Sequence, residues 1–464
     1  MSTAPLCAVV LAAGKGTRMK SRLPKVLQPL GGQPLLAHVL AAIAPLAPAR
    51  TVVVVGHEAA RVEEAFANCG SSFVRQEPQN GTGHAAALAL AALPDAGCTL
   101  IVTGDTPLVG SATLAALAAR ADANTVALLT CRMPDATGYG RILRDAGGRV
   151  VRIVEHKDAL AAGDSAVLAI DEVNTGLLCA PTAWLRQALG RLSPKNVQGE
   201  LYLTDVIGLA AVDGLAVETL TTDDPIEVAG VNDKAQLAAL ERAMQARRAA
   251  ALLAQGVTLA DPARIDIRGT LECGSDVSID VGCVFSGRVV LADEVTIGPN
   301  CVLADCVIGR GTRVEAMSLI EGAEVGSGVR VGPFARLRPG TQLDDDVHIG
   351  NFVEVKNSRL GRGSKANHLA YLGDARVGER VNYGAGSITA NYDGANKHAT
   401  TIEDDVHVGS NCVLVAPVTL GAGGTIGGGS TVTKNTPPGA LTVARARPVT
   451  LPGWRRPRKD SGGT

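Results

Sequence analysis

The sequence predicts two different folds in one chain: an α/β domain, followed by a solenoid of stacked β turns, with a long helix joining them. Three observations support this. Short aliphatic strands alternate with Ala/Leu-rich helical stretches over residues 1–232, a helical stretch covers 233–256, and aliphatic residues recur at every sixth position within 257–464. At 464 residues the chain is also too long for one ordinary core.

Three apolar runs are predicted to be buried strands of the first domain: CAVVLAA (7–13), TVVVVG (51–56) and TLIVTGD (99–105). The stretch PLLAHVLAAIAPL (34–46) is predicted to be a helix between the first two. Continuous apolar strands joined by helices indicate a parallel sheet that is covered on both faces. Because ligands bind at the carboxyl ends of such strands, the loops after Ala13, after Gly56 and around Asp105 are expected to hold the chemistry.

The run DKAQLAALERAMQARRAAALLAQ (233–255) is predicted to be the connecting helix. Asp233 is a suitable N-cap and Gly256 a suitable stop. Apolar residues between them recur at roughly helical spacing: Leu237, Leu240, Met244 and Ala251.

The second half has a period of six residues, which is neither the period of a strand nor that of a helix. Short fixed periods indicate a solenoid of stacked β turns in which every sixth side chain points into a narrow prism. The positions are Leu291, Ile297 and Leu303; Val325, Val331, Leu337, Leu343, Ile349 and Val355; and Ile402, Val408, Leu414, Leu420, Ile426 and Val432. Residues 384–401 interrupt this rhythm and are predicted to form an external loop.

Bulk properties exclude several classes of protein. A formal net charge of -1 argues against general nucleic-acid binding, which needs a broad basic face. Residues 6–13 lack a basic leader and are interpreted as a buried strand, and the longest other apolar stretch, 85–93, is about half the length of a membrane span. The ten cysteines contain no CxxC pair, so free thiols in a cytoplasmic protein are expected, with neither zinc nor disulfides.

The loop after the first strand has a clear chemical use. In LAAGKGTRM (11–19), Gly14 and Gly16 allow backbone N–H groups to approach phosphates, and Arg18 and Lys25 supply positive charge. The loop is not a Walker motif, since no Ser or Thr follows the lysine, and it lacks the third glycine of the dinucleotide fingerprint. A glycine turn alone is more often a structural connector; the joint spacing with Pro24 and Lys25 favours phosphate binding.

This loop resembles that of the sugar-phosphate nucleotidyltransferases, which have a Rossmann-like domain. Further blocks resemble the bifunctional N-acetylglucosamine-1-phosphate uridyltransferase/glucosamine-1-phosphate N-acetyltransferase family over nearly the whole chain. These blocks are Gln76, PQNGTGHA (78–85), GDTPL (104–108), GYGRI (138–142), Glu155, Asn174-Thr175-Gly176 and GVND (230–233). The resemblance implies synthesis of UDP-N-acetylglucosamine, a precursor of peptidoglycan and lipopolysaccharide.

The resemblance also implies roles for residues of the first domain. The uridine nucleotide would contact Leu11, Ala12, Ala13, Gly14, Lys25, Gln76, Gly81, Thr82, Thr103 and Gly104; the sugar would contact Gly140, Glu155 and Asn174; Asp105 and Asn232 would bind Mg²⁺. Many family members carry an aromatic residue where this chain has Thr103. A lone strand-end aspartate such as Asp105 is about as often a cap as a ligand. Because the sugar phosphate is already anionic, no general base is needed, and Arg18 and Lys25 would act by positioning and electrostatics.

Four blocks of the second half resemble the acetyltransferase of the same family: PFARLRPG (333–340), NFVEVKNS (351–358), NHLAYLGD (367–374) and GSITANYDG (386–394). This resemblance implies that the solenoid is a left-handed parallel β-helix of hexapeptide repeats. By that resemblance, glucosamine 1-phosphate would contact Arg338, Lys356, Tyr371, Asn382 and Asn391. Acetyl-CoA would contact Ala385, Asn391, Tyr392, Ser410, Gly428 and Arg445, with glycine at 428 where alanine is common. His368 would be the general base, since the sugar amine must lose a proton and histidine titrates in the useful range. His348 and His407 are interpreted as ordinary surface or hydrogen-bonded residues.

The family forms homotrimers with acetyl-transfer sites between subunits, so a homotrimer is expected, with neither nucleic acid nor membrane insertion. The basic tail 454–459 is interpreted as a solvated terminus. Two alternatives stay open, because hexapeptide prisms often serve only as scaffolds. One is a monofunctional nucleotidyltransferase with a regulatory prism, and the other is a non-catalytic scaffold protein. Intact Arg18, Lys25 and Asp105 argue against the second alternative, and the block around His368 and Tyr371 argues against the first.

Overall fold

The structure is a computed structural model that describes residues 5–456. Its contacts separate two compact units, Met1–Arg247 and Arg248–Thr464, called the first and second unit below. The domain limits predicted from the sequence, 1–232, 233–256 and 257–464, stay predictions. Within residues 5–456, no helix combines the length and the apolar character that crossing a membrane requires. Residues 457–459 of the basic tail lie outside the described range.

The first unit alternates strands and helices as the sequence predicts. Its strands are β1 (Leu6–Ala12), β2 (Pro29–Leu30), β3 (Gln33–Pro34), β4 (Arg50–Val55), β5 (Ser72–Arg75), β6 (Cys98–Thr103), β7 (Thr125–Arg132), β8 (Arg141–Arg144), β9 (Val150–Val154), β10 (Glu172–Pro181) and β11 (Ala216–Thr222). Its helices are α1 (Leu35–Ile43), α2 (Ala59–Ala65), α3 (Thr82–Leu90), α4 (Ser111–Ala118), α5 (His156–Ala161), α6 (Ser165–Leu168), α7 (Thr182–Leu189) and α8 (Asp205–Asp213), with 3₁₀ turns at Thr17–Met19, Lys25–Leu27 and Ala44–Leu46.

The main sheet has the order β11-β7-β10-β6-β1-β4-β5 and is covered on both faces. Successive side chains of β1 pack in two different hydrophobic cores, one on each face of the sheet: Val9 lies in one core and Val10 in the other. The three strands predicted from the sequence, β1, β4 and β6, pair in parallel as expected. The sheet as a whole is mixed, because β10 runs antiparallel to both β6 and β7. An apolar run indicates burial on both faces but not the direction of the strand.

The connecting helix α9 (Lys234–Ala254) is present as predicted. Its N-cap is Asp233, whose Oδ1 accepts a hydrogen bond from the N–H of Gln236 at 2.8 Å. The helix stops before Gly256, which has a φ of 91°. Leu240 and Met244 pack in a core of the first unit, whereas Ala249 and Leu252 belong to the core of the second.

The second unit is a stack of three parallel ladders, the predicted left-handed parallel β-helix. The first ladder holds Thr258–Leu259, Ser278–Ile279, Thr296–Ile297, Arg313–Val314, Arg330–Val331, His348–Asn351, Lys365–His368, Asn382–Tyr383, His407–Val408, Thr425–Ile426 and Leu441–Thr442. The other two begin at Ile265–Cys273, Cys283–Leu291 and Val302–Ile308, after a 3₁₀ turn at Pro262–Arg264. The second ladder continues with Leu319–Glu321, Arg336–Leu337, Glu354–Lys356, Tyr371–Gly373, Ile388–Ala390, Val413–Val415 and Thr431–Val432, and the third with Ala323–Val325, Thr341–Leu343, Arg359–Leu360, Ala375–Val377, Thr400–Ile402 and Val418–Leu420.

The register explains the period of six. Val331 pairs with Ile349 and Leu337 with Val355, a step of 18 residues that equals three faces of six. All the aliphatic positions singled out in the sequence are at most 4% exposed. The prism core is therefore made of the residues that the period predicts.

The predicted external loop 384–401 is too wide. Strand Ile388–Ala390 lies inside it and strand Thr400–Ile402 overlaps its end. Both pair within the ladders, so that only residues 391–399 leave the prism. Val377 pairs with Ile402, a step of 25 residues in place of 17 or 18. The prediction failed because buried polar residues replace aliphatic ones there: Ser387 Oγ donates to the carbonyl of Gly409 at 2.8 Å, and Thr389 Oγ1 donates to that of Gly373 at 3.0 Å.

Candidate active sites

A cleft of about 440 Å³ lies at the carboxyl ends of β1, β5 and β6. It is joined through Thr103 to two smaller cavities, of about 220 Å³ and 230 Å³, whose walls also include this residue. The cleft is lined by ten of the residues assigned from the sequence: Leu11, Ala12, Ala13, Gly14, Lys25, Gln76, Gly81, Thr82, Thr103 and Asp105. Gly104 supports the cleft from behind, where its N–H donates to the carbonyl of Leu11 at 2.9 Å.

The two glycines of the first loop serve different purposes. Gly16 has a φ of 59°, and a Cβ there would lie 2.8 Å from Cβ of Lys25, so this glycine allows Lys25 to pack against the loop. A Cβ on Gly14 would meet no atom within 4 Å. Because Gly14 lines the cleft, its missing side chain leaves space for a ligand beside the backbone.

The Lys25 ammonium and the Asp105 carboxylate form an ion pair at the edge of the cleft, with side chains 13% and 20% exposed. The carbonyl of Asp105 accepts a hydrogen bond from Val231 at 2.9 Å, which brings the segment containing Asn232 alongside. Asp105 and Asn232 line the 230 Å³ cavity together with the exposed Arg18.

Asp105 and Asn232 offer carboxylate and amide oxygens, which are hard ligands suited to a divalent cation. Among residues 5–456, no group of three or more His, Cys, Asp and Glu side chains could hold a metal ion. Two oxygen donors of this kind fit a cation that takes most of its ligands from water and substrate phosphates, as Mg²⁺ does in nucleotide sites.

Residues 200–204 pack over the start of α3, a feature that the sequence did not reveal. The N–H of Gly83 donates to the carbonyl of Leu201 at 2.8 Å, and the N–H of Leu203 donates to Thr82 Oγ1 at 3.0 Å. Gly81, with a φ of 101°, must be glycine here, because a Cβ would lie 2.5 Å from the carbonyl oxygen of Leu201. This segment adds Glu200 to the lining of the cleft.

The 220 Å³ cavity gathers Gly140, Glu155 and Asn174, the three residues assigned to the sugar. The carbonyl of Gly140 accepts a hydrogen bond from the N–H of Asn174 at 2.8 Å. Burial raises the pKa of Glu155, and Thr204 Oγ1 donates to its carboxylate at 2.9 Å. Thr204 had no motif to reveal it, whereas Tyr139, which also lines the cavity, lies inside the GYGRI block.

Five residues of the second unit form a column along one corner of the prism, called the corner column below: Asn351, His368, Ala385, Ser410 and Gly428. Each is followed by a residue with a φ between 50° and 73°. The N–H of that following residue donates to the carbonyl of the column member one turn below, at 2.8 to 3.3 Å: Leu369 to Asn351, Gly386 to His368, Asn411 to Ala385, and Gly429 to Ser410. Arg445 is attached to the column, since its Nη1 donates to the carbonyl of Gly428 at 2.5 Å.

A second group assembles on the neighbouring face of the prism. A Cβ on Gly373 would lie 2.3 Å from the Tyr371 hydroxyl and 2.8 Å from Nδ2 of Asn391, so these two side chains meet above this glycine. Lys356 pairs in register with Gly373. Lys397, which the sequence did not single out, approaches Lys356 and lowers its pKa.

Arg338 stands beside this group, in an ion pair with Glu354 at 2.7 Å, and Glu354 pairs in register with Tyr371. Two assigned residues stand apart. Asn382 lies in the first ladder, in register with Lys365 and His407. Tyr392 is 63% exposed in the external loop.

Three family models match the sequence. The MobA-like NTP transferase domain matches residues 8–259, the GMPPB C-terminal domain matches 267–362, and the six-repeat bacterial transferase hexapeptide matches 399–434. The first match alone covers more than half of the chain.

Several relatives named bifunctional protein GlmU align over nearly their whole length. The protein from Methylibium petroleiphilum is 60% identical over 458 residues, which cover 97% of this chain and 99% of that protein. The protein from Acidovorax sp. (strain JS42) is 57% identical over 474 residues, which cover 98% and 99%. Among solved structures, a nucleotidyl transferase from Methanothermobacter thermautotroptrophicus is 23% identical, with a TM-score of 0.38 and coverage of 51% of this chain and 96% of that one.

Proposed function

The chain belongs to the family of the bifunctional GlmU proteins, and on this premise we propose which residues carry out each of its two reactions. The chain is a bifunctional enzyme of UDP-N-acetylglucosamine synthesis, whose product serves peptidoglycan synthesis. It transfers an acetyl group from acetyl-CoA to glucosamine 1-phosphate and a uridylyl group from UTP to N-acetylglucosamine 1-phosphate. One observation supports the division of labour that we propose: the first unit and the second unit each hold a separate cluster of polar site residues.

Uridylyl transfer is assigned to the cleft of the first unit. A phosphate oxygen of N-acetylglucosamine 1-phosphate attacks the α-phosphorus of UTP, and the bond to the β-phosphate breaks to release pyrophosphate. Gly14 leaves room for the triphosphate, while Lys25 and Arg18 stabilise the negative charge that moves onto the departing group. Glu155 and Asn174 bind the sugar hydroxyls.

Mg²⁺ is the cation that we propose for Asp105 and Asn232. When bound, it would neutralise phosphate charge and help to align the attacking and departing oxygens. Asp105 forms an ion pair with Lys25 in this structure, so the two side chains are already held at the place where the phosphates would enter. Lys25 would then be free to turn from Asp105 to a phosphate.

Acetyl transfer is assigned to the corner column and the face beside it. Arg338 and Lys356 bind the phosphate of glucosamine 1-phosphate, with Tyr371, Asn382 and Asn391 around the sugar. His368 takes the proton as the amine attacks the thioester carbonyl, and the C–S bond then breaks to release coenzyme A. The N–H of Ala385 stabilises the oxyanion, and acetyl-CoA extends past Asn391 and Tyr392 along Ser410, Gly428 and Arg445.

A homotrimer is proposed from the surface next to His368. Phe334, Phe352 and Leu369 follow one another up the same corner of the prism and are 48%, 56% and 63% exposed. The rings of Phe334 and Phe352 stack with their centroids 5.2 Å apart. A second copy of the chain covering this stripe would also enclose the acetyl-transfer site and would supply Asn382, which lies on a different ladder from Lys356 within one chain.

All ten cysteines are free, which supports a cytoplasmic location.

Phe352→Asp tests the assembly, because a charge in a buried apolar contact is strongly unfavourable. We expect a smaller species in sedimentation and a loss of acetyl transfer of about 100-fold or more, with uridylyl transfer unchanged. Val307→Asp, on another part of the prism where Val307 is 43% exposed, is the matched control and should change neither property. A trimer that persists in the Phe352 variant would contradict the assignment of this surface.

Two substitutions test the division between the units. Asp105→Ala should lower uridylyl transfer by about 1,000-fold or more and leave acetyl transfer near wild type, because the cation and Lys25 lose their shared partner. His368→Ala should have the opposite effect. Each reaction is measured separately, with UTP, Mg²⁺ and N-acetylglucosamine 1-phosphate for one and with acetyl-CoA and glucosamine 1-phosphate for the other. Equal loss of both activities in either variant would contradict the assignment.

A further inference from the structure

We propose that Asn351 is a positioning residue of acetyl transfer: it holds the His368 ring with the proton on Nδ1, so that Nε2 is the atom that accepts the proton of the sugar amine. This inference rests on the proposed role of His368. It assigns a role to the first residue of the NFVEVKNS block, which the assignments above leave unused.

The contact is direct and is fixed by the fold on both sides. Asn351 Oδ1 lies 2.9 Å from His368 Nδ1. The two residues end neighbouring strands of the first ladder, His348–Asn351 and Lys365–His368, and are partners in its register. The carbonyl of Asn351 also accepts a hydrogen bond from the N–H of Leu369 at 3.0 Å, which anchors the residue that follows the histidine.

The direction of this hydrogen bond determines the tautomer. An amide oxygen only accepts, so Nδ1 of the neutral ring must carry the hydrogen, and the lone pair is then on Nε2. Without Asn351 the ring could rotate, and part of the population would carry the proton on the other nitrogen. A base in the wrong tautomer or orientation is inactive until it rearranges.

The strands beside His368 carry several charged or titratable side chains, but Asn351, which contacts its ring, is neutral. Lys365 lies in the same strand, and His348 lies in the strand below; burial, together with Arg330, Lys365 and His368, lowers the pKa of His348. On the following face, Tyr371 and Glu354 pair in register, and Glu354 is engaged by Arg338. Asn351→Asp would therefore place a negative charge in direct contact with the histidine ring.

Asn351→Ala and Asn351→Asp separate orientation from basicity. We expect the alanine variant to lower kcat of acetyl transfer about 10- to 100-fold, the size of effect produced when a metal-bound histidine loses the partner that orients its ring. KM for acetyl-CoA and for glucosamine 1-phosphate should stay within about twofold, because a residue that acts only through His368 contributes to the chemical step and not to substrate binding. The aspartate variant should recover most of kcat, and the acid limb of its pH–rate profile should move to higher pH, because a carboxylate stabilises the protonated ring.

Uridylyl transfer by the same full-length chain, together with the sedimentation of each variant, reports whether the fold and the assembly are intact. A kcat for Asn351→Ala within twofold of wild type, or an acid limb that does not move in Asn351→Asp, would overturn the inference. His368→Ala separates this failure from failure of the proposed function. If His368→Ala retains acetyl transfer, the role of the histidine itself is wrong; if it loses acetyl transfer while Asn351→Ala does not, only the positioning role is wrong.

Discussion

The two active sites are built in contrasting ways. In the first unit, strand ends and loops that are far apart in sequence converge on one cleft, and each is held by its own contacts, such as the packing of residues 200–204 on α3. In the second unit, one backbone hydrogen bond is repeated from turn to turn, and the corner column follows from that repetition. In the cleft, the position of each site residue thus depends on its own contacts. In the prism, it depends on the register of the ladder.

The two sites also differ in their exposure to water. Lys25 and Asp105 are largely buried in the cleft, and Glu155 is desolvated enough to raise its pKa. His368 is exposed, and Leu369 beside it is 63% exposed. The residues assigned to uridylyl transfer thus lie in a desolvated environment, whereas the histidine assigned to acetyl transfer is open to water. This contrast agrees with the proposed homotrimer, in which a second copy of the chain would cover the exposed corner of the prism.

The largest effect that would test this contrast concerns Arg141, a buried support of the cleft that is 3% exposed. Its Nη1 donates to the carbonyls of Ala136 and Tyr139 at 2.6 and 2.5 Å, and thus fixes the loop that forms one wall of the sugar cavity. Arg141→Met leaves both carbonyls without their charged donor. We expect KM for N-acetylglucosamine 1-phosphate to rise about 10- to 100-fold, since hydrogen bonds to charged groups contribute about 1.5–3 kcal/mol.

The matched control is Arg144→Met, the same substitution at the other end of β8, where the arginine pairs with Glu172 at 2.7 Å and lines none of the three cavities. It should leave KM for the sugar phosphate within about twofold. Acetyl transfer should be unchanged in both variants, because the prism does not use this loop. If the two variants had equal KM values for N-acetylglucosamine 1-phosphate, the loop between Ala136 and Tyr139 would not depend on its hydrogen bonds from Arg141.

Much of the fold and of the sites could be predicted because burial leaves a periodic trace in the sequence. The six-residue period gave the positions of the prism core, and the glycine loop with Lys25 gave one wall of the cleft. The direction of β10 could not be predicted, because an apolar run does not encode it. Residues 388–390 were also assigned wrongly, because Ser387 and Thr389 satisfy their hydroxyls with carbonyls of other turns and so replace aliphatic residues without changing the fold.

The residues that sequence reasoning missed act through contacts between distant parts of the chain. Thr204 reaches Glu155 across 49 positions, and Leu203 reaches Thr82 across 121. Lys397 enters the acetyl-transfer face from the external loop. Asn351 lay within a recognised block, but its contact with His368 became visible only in the register of the ladder.

The smallest expected effect concerns Glu155. Its pKa reports how strongly burial in the sugar cavity beside the cleft disfavours a charged side chain. Because burial raises its folded pKa, the ionised carboxylate destabilises the folded first unit once the pH exceeds the value in the unfolded chain, about 4.3. Glu155→Gln keeps an acceptor for Thr204 and removes the charge. We expect the variant to be more stable by roughly 1 kcal/mol at pH 7 and equal to wild type near pH 4, although its affinity for the sugar phosphate should fall.

Urea unfolding can follow the first unit alone, because the chain has two tryptophans and Trp454→Phe leaves only Trp184, in α7, as a reporter. Glu172→Gln is the control of opposite sign. Burial acts to raise the pKa of Glu172, but the hydrogen bonds from Arg144 and Thr130 and the charges of Arg144 and Arg132 together outweigh it, so the pKa is lowered. This carboxylate therefore stabilises the unit above the unfolded value, and the contribution is lost as the pH falls through the folded pKa. Glu172→Gln should therefore be destabilising at pH 7 and approach wild type in acid. If Glu155→Gln and Glu172→Gln changed the free energy of unfolding in the same direction with pH, desolvation would not explain the effect of Glu155 on stability. Desolvation would then not be the property that distinguishes the cleft from the exposed corner of the prism.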